Sequence, residues 1–195
     1  MQLFFPLRSA FVALPLEGDA LRTFIAIQNT LTGFADFLRL QNPGSPHLTL
    51  YFWKELMEIE YYQVTAQLQK IADHTPPFTI HVTGADVFGH KGQDRVLYLT
   101  IGFSEELARL KKSCPWPNIA RNNSASLPTH IFYPHSTLAR IHHPDRFAVH
   151  KKKIMKLLSD VSFNIPANRL RLYAEVDNRK QTPLQDYMLH SSVSS

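Results

Sequence analysis

The phrase Pro-His-x-Thr-Leu is written twice, as PHLTL at 46–50 and as PHSTL at 134–138, once in each half of the chain. Each copy opens a strand-like run flanked by amphipathic helix patterns, and this doubled setting is what most constrains the fold. Side chains along a strand alternate between its faces. His47 and Thr49 therefore share a face, with Leu48 and Leu50 directed to a core. His135 and Thr137 do likewise, with Ser136 and Leu138 behind them.

Around these anchors, 9–14 reads as a buried strand and 17–40 as a helix, with Leu21, Phe24, Ile25, Leu31, Phe34 and Leu38 on one stripe. A second helix is expected over 55–73. Strands follow over 78–88 and 95–103, with a turn at 89–94, then a helix at 104–114 with Ser104 as its N-cap. After a loop over 115–129 come the second motif strand, a helix over 144–161, a strand at 169–176 and a short returning strand over 177–190. A motif strand between helices in each half argues for an α+β protein of two related lobes. We expect one domain over 1–195, with lobes of roughly 1–75 and 76–195 that are free to exchange strands.

With 44% hydrophobic and 19% charged residues, the chain is not of the disordered class. Its net charge of +5 suits an anionic partner. The lone Cys114 cannot form an internal disulfide, which points to a reducing, cytoplasmic setting. Pro6, Arg8 and Pro15 argue against a signal peptide at the apolar opening. No run approaches the ~20 apolar residues of a membrane helix, so no membrane association is expected. Nothing in the pattern calls for an obligate protein partner.

If the two motif faces meet across a groove, it holds two imidazoles and two hydroxyls. Near neutral pH one imidazole can act as base while the other acts as acid, as displacement at a phosphodiester requires. Threonine hydroxyls can hold the non-bridging oxygens. Nothing in the spacing separates the roles of the two histidines. A third copy, His81-Val-Thr83, lacks the leucine and reads as solvent-facing strand decoration.

These residues resemble the 2H phosphoesterases, above all the RNA 2′,3′-cyclic phosphodiesterase branch, often called 2′-5′ RNA ligases. HLTLYF is similar to that family's first motif and FYPHSTLARI to its second. AFVALPL, PPFTIHVTGADVFG, RVLYLTIG and the closing LRLYAEV and TPLQDY resemble other strands of the family. The resemblance implies two pseudo-symmetric lobes of mostly antiparallel sheet, with outer helices, around a central cleft. It also implies hydrolysis of RNA or nucleoside 2′,3′-cyclic phosphate to the 2′-phosphate without metal or cofactor, and a reversible 2′-5′ ligation. Carried over by position, His47 is the proton donor, His135 the proton acceptor, and Thr49 and Thr137 the phosphate ligands. The chain departs from the family at Trp53-Lys54, where leucine-glycine is usual, and at Ser136, where an aliphatic residue is usual.

Three further residues are candidates for substrate binding. Arg140 lies an odd number of residues past His135 and so faces away from it on an unbroken strand, yet it could reach substrate from the strand end. Phe11 and Tyr51 could stack a base, although core packing suits Phe11 better. Adjacent His142 and His143 point to opposite faces of a strand and make a poor metal site. The alternative to an enzyme is an RNA-binding module that keeps the cleft without turnover. The presence of both histidines and both threonines favours the enzyme.

Overall fold

A computed structural model describes residues 2–114 and 132–190. The chain runs β1 (Leu7–Pro15), α1 (Gly18–Thr30), β2 (Leu38–Leu40), β3 (His47–Leu56), α2 (Glu58–Asp73), β4 (Phe78–His90), β5 (Gln93–Ile101), α3 (Glu105–Ser113), β6 (His135–Ile141), α4 (Pro144–Leu157), β7 (Phe163–Ala167), β8 (Arg169–Val176) and β9 (Arg179–Met188). The expected 115–129 loop lies outside the described residues.

Two antiparallel sheets form, one in the order β3-β1-β8-β9 and the other β2-β6-β5-β4-β7. The protein is α+β, as the pattern of elements indicates. Each sheet draws strands from both halves of the chain: β8 and β9 return to complete the sheet begun by β1 and β3, and β2 adds an edge to the other. The helices exchange as well. α2 packs on β8 and β9, whereas α1 crosses to β7 and α4 covers β5. Their apolar stripes, including Phe24, Val64, Leu68, Phe147 and Ile154, join the inner sheet faces in one continuous core. Buried Cys114 belongs to that core.

Local chemistry explains most boundaries. Ser104 caps α3 by accepting a hydrogen bond from the Leu107 amide at 3.1 Å. Lys91 and Gly92 both take positive φ, as do Asp177 and Asn178, which gives tight turns between β4 and β5 and between β8 and β9.

The helix expected over 17–40 is shorter than its apolar stripe. Leu31, Phe34 and Leu38 are buried as the stripe requires, but α1 ends at Thr30, a 3-10 turn spans Thr32–Phe34, and Leu38–Leu40 is strand. Pairing with β6 overrides the local preference, and the buried Gln28 amide fastens the junction by donating to the carbonyls of Gln41 at 2.9 Å and Leu138 at 3.0 Å. β7, unanticipated, carries Pro166 and survives as an edge strand, where a missing N–H is tolerated.

Candidate active site

The motif strands meet where the two sheets adjoin: β3 is the edge of one sheet and lies against β6 of the other. Partners in an antiparallel ladder share a face. His47 pairs with Pro15 and Thr49 with Ala13, while His135 pairs with Thr100 and Thr137 with Tyr98. The faces behind them carry Leu48 and Leu50, and Ser136 and Leu138, all buried.

Both imidazoles are held in the same way. His47 Nδ1 lies 2.7 Å from the Ser45 carbonyl, and His135 Nδ1 lies 2.8 Å from the Tyr133 carbonyl. A carbonyl only accepts, so each Nδ1 carries a proton and donates it. Each Nε2 then presents a lone pair when the ring is neutral and a donor when it is charged. Neither Nε2 has a hydrogen-bond partner among the described residues.

The histidines differ in their surroundings. His47 packs on Phe11 with ring centroids 4.7 Å apart and on Tyr173 at 5.4 Å. Its pKa is pushed below the ordinary 6.5, chiefly by burial, against the hydrogen bond to Ser45, and further by charge on His135. That coupling places the two motif imidazoles within electrostatic reach of each other. His135 sits in a more open setting, with Phe88 and Tyr98 edge-on at 5.2 and 5.3 Å.

A bulge follows each motif. Ala13 faces Thr49 but Val12 faces Tyr51, so Leu50 is an extra residue in β3. Tyr98 faces Thr137 but Leu97 faces Ala139, so Leu138 is an extra residue in β6. The two bulges fall at the same position relative to their histidines. A helix side chain holds each bulged carbonyl: Lys111 of α3 donates to Leu50 O at 2.7 Å, and Gln28 of α1 donates to Leu138 O. Each bulge reverses the alternation beyond it.

A family model of the 2′-5′ RNA ligase superfamily matches residues 19–179, which span both motifs. The chain belongs to the 2′-5′ RNA ligase superfamily. It is 28% identical over 131 residues to an RNA 2′,3′-cyclic phosphodiesterase of Bacillus subtilis, covering 67% of this chain and 69% of that one. It is 33% identical over 112 residues to one of Aquifex aeolicus, covering 53% and 55%. A crystal structure of a Thermus thermophilus protein superposes with a TM-score of 0.76 at 21% identity, covering 94% of this chain and 99% of that one. Escherichia coli LigT complexed with 3′-AMP does so with a TM-score of 0.68 at 19% identity, covering 95% and 99%.

In this superfamily member the bulges redistribute the residues expected to bind substrate. Arg140 does not face away from His135. It pairs with Val96, which shares the face of Tyr98 and hence of Thr137. Tyr51 moves the other way: it pairs with core residue Val12 and packs against Trp53 and beneath the Lys111 ammonium, on the side opposite Thr49. Phe52, overlooked in the alternation, takes the cleft face opposite Phe11 and is 55% exposed. Phe11 is on that face as well but only 6% exposed, stacked on Tyr173 at 4.7 Å, so it forms the floor under His47 rather than a surface for a base.

The remaining sequence features resolve simply. His81 is exposed and engaged by Asn164 at 2.9 Å. Exposed His142 and His143 belong to no three-ligand cluster among the described residues. Trp53 pairs with Ala10 and packs on the core side. Ser136 is fully buried, and its hydroxyl makes no hydrogen bond among the described residues. On the far wall, Arg171 and Arg169 meet Asp186 at 2.7 and 2.9 Å and Glu17 at 3.0 and 3.3 Å, which neutralises both.

Among the described residues, no helix is long and apolar enough to cross a membrane.

Proposed function

We propose that the protein hydrolyses 2′,3′-cyclic phosphate, on an RNA end or a nucleoside, to the 2′-phosphate. His135 Nε2 takes a proton from water as it attacks phosphorus, the bond to the 3′-oxygen breaks, and His47 Nε2–H gives that oxygen its proton. Thr49 and Thr137 donate to the non-bridging oxygens as charge accumulates there. The same displacement with a 5′-hydroxyl as nucleophile and product would run a reversible 2′-5′ ligation. What supports the reading is the matched pair of imidazoles, each fixed through Nδ1 to a carbonyl two residues upstream and each with Nε2 unpartnered among the described residues. Three relatives, among them those of Bacillus subtilis and Aquifex aeolicus, are RNA 2′,3′-cyclic phosphodiesterases by name.

The assignment carries one electrostatic requirement. Burial favours neutral His47 in the ligand-free protein, yet a donor must carry a proton. The anionic substrate supplies the compensation by attracting a proton onto the imidazole it faces. An RNA binder without turnover would have no use for two such oriented rings.

The test is the product of an oligoribonucleotide ending in 2′,3′-cyclic phosphate, followed by phosphorus NMR. A 2′-phosphomonoester is expected. A 3′-phosphomonoester would overturn the choice of leaving oxygen, and tight binding without turnover would support the binding module.

A further inference from the structure

The bulge at Leu138 leaves two guanidiniums side by side. Arg39 of β2 stands directly opposite Arg140 of β6, and both are exposed on the face that carries His135 and Thr137. Like charges directly opposite one another on a sheet repel. Neither arginine has an ion-pair partner among the described residues, whereas nearby Asp36 and Asp94 are already matched to Arg146 and Lys151. The contrast with Arg169 and Arg171 across the cleft, both paired to carboxylates, is direct. Edge protection explains a charge on a short strand such as β2. It does not explain a second arginine opposite it on the inner strand.

An uncompensated pair of guanidinium forks is a receptor for an oxyanion. Arg140 lies three residues beyond Thr137, a rise of at most ~10 Å at strand spacing, so the doublet sits past the reacting phosphate rather than on it. We propose that Arg39 and Arg140 together form a subsite for the phosphodiester on the 5′ side of the terminal nucleotide. The preferred substrate is then an RNA chain of at least two nucleotides rather than a cyclic mononucleotide. This rests on the cyclic-phosphate reading above and adds Arg39 as a residue that selects chain over monomer. Phe88, 41% exposed, continues the same row beyond Val96 and offers an apolar surface beside the doublet.

The experiment compares kcat/KM for a tetraribonucleotide 2′,3′-cyclic phosphate with that for the cyclic mononucleotide, in wild type, Arg39→Ala and Arg39→Lys. The chain-to-monomer ratio should fall about tenfold in Arg39→Ala and less in Arg39→Lys, since lysine keeps the charge but not the fork. Replacing only the 5′-side linkage by an uncharged methylphosphonate should lower the wild-type ratio similarly and add little to Arg39→Ala. Equal loss on chain and monomer would put Arg39 at the reacting phosphate, and no loss on either would leave it without a role; both overturn the proposal. Binding of a labelled tetraribonucleotide 2′-phosphate keeps this test separate from turnover. Its log K against log salt slope should shrink by about 0.7 in Arg39→Ala. If wild type hydrolyses nothing yet that slope changes, the subsite stands and the hydrolytic reading fails. An unchanged slope overturns the subsite whatever the turnover.

Discussion

A donor that is neutral before substrate arrives must gain its proton from binding. His47 is held below its ordinary 6.5 mainly by burial and partly by His135, so its protonated form is disfavoured in the free protein. A phosphomonoester in the cleft brings a charge of about −1.5 to −2 at neutral pH. One unit charge about 4 Å from the imidazolium contributes about 4 kcal/mol at an effective dielectric of 20. Each pKa unit corresponds to about 1.4 kcal/mol, which sets a ceiling of about three units per charge. Solvent at the cleft mouth reduces this, and a rise of at least about one unit should survive. The assay is an NMR titration of the histidine Cε1 resonances with and without a nucleoside 2′-monophosphate, with His47→Gln identifying the signal. Calorimetry in two buffers of different ionisation enthalpy should record net proton uptake near pH 7. His135→Gln should raise the His47 midpoint of the free protein, because the opposing charge is gone. If the His47 midpoint stays put or falls when ligand binds, His47 is not the donor, and the direction of proton flow is reversed.

Three other outcomes are expected. Ser136→Ala removes a buried hydroxyl without a partner among the described residues, so it should stabilise by about 1 kcal/mol and raise Tm by roughly 2–4 °C in a thermal melt; a lower Tm would mean that the hydroxyl is satisfied. Lys111→Met removes the side-chain donor to Leu50 O, and Gln28→Leu removes the donor shared by Gln41 O and Leu138 O, of which Leu138 O keeps the Gln41 amide at 2.8 Å. Each should cost about 1–3 kcal/mol by urea denaturation, with turnover reduced in the folded fraction, and unchanged stability would deny the bulges their clamps. Because the folded-state pKa of His47 is depressed, the unfolded chain binds more protons just below pH 6.5, so the stability present above 6.5 falls on acidification toward the folded value. His47→Gln should flatten that slope, and a slope identical to wild type would show that His47 is not the group responsible.

How the sequence announces this site, and where it misleads, follows from the range of the forces involved. The motif strands, the Ser104 cap and the β4–β5 and β8–β9 turns are legible because neighbouring residues decide them. The bulges are not. Leu50 and Leu138 look like ordinary core positions in an unbroken alternation, and only the partner strands show that each is one residue too many. Strict alternation therefore turns Arg140 away from the cleft, brings Tyr51 into it and passes over Phe52. The signal that was available is the doubled motif itself: Phe52 and Arg140 stand at equal distances beyond His47 and His135, so an irregularity in one strand foretells the same in the other. β2 and β7 are invisible for a related reason. Three residues ending an apolar helical stripe become strand only because β6 offers an edge, and Pro166 argues against the strand that β4 nevertheless supports.

The central claim is that two histidines, one from each motif, act as a single acid–base pair. Its most direct measurement is single-turnover hydrolysis of a 2′,3′-cyclic phosphate in excess EDTA by wild type, His47→Ala, His135→Ala and the double variant, each shown folded by its thermal melt. Each single substitution should lower the rate by roughly 10²–10⁴-fold. The double variant should fall little further, as residues that work as a unit do. Turnover that survives loss of either histidine at near wild-type rate would contradict the account.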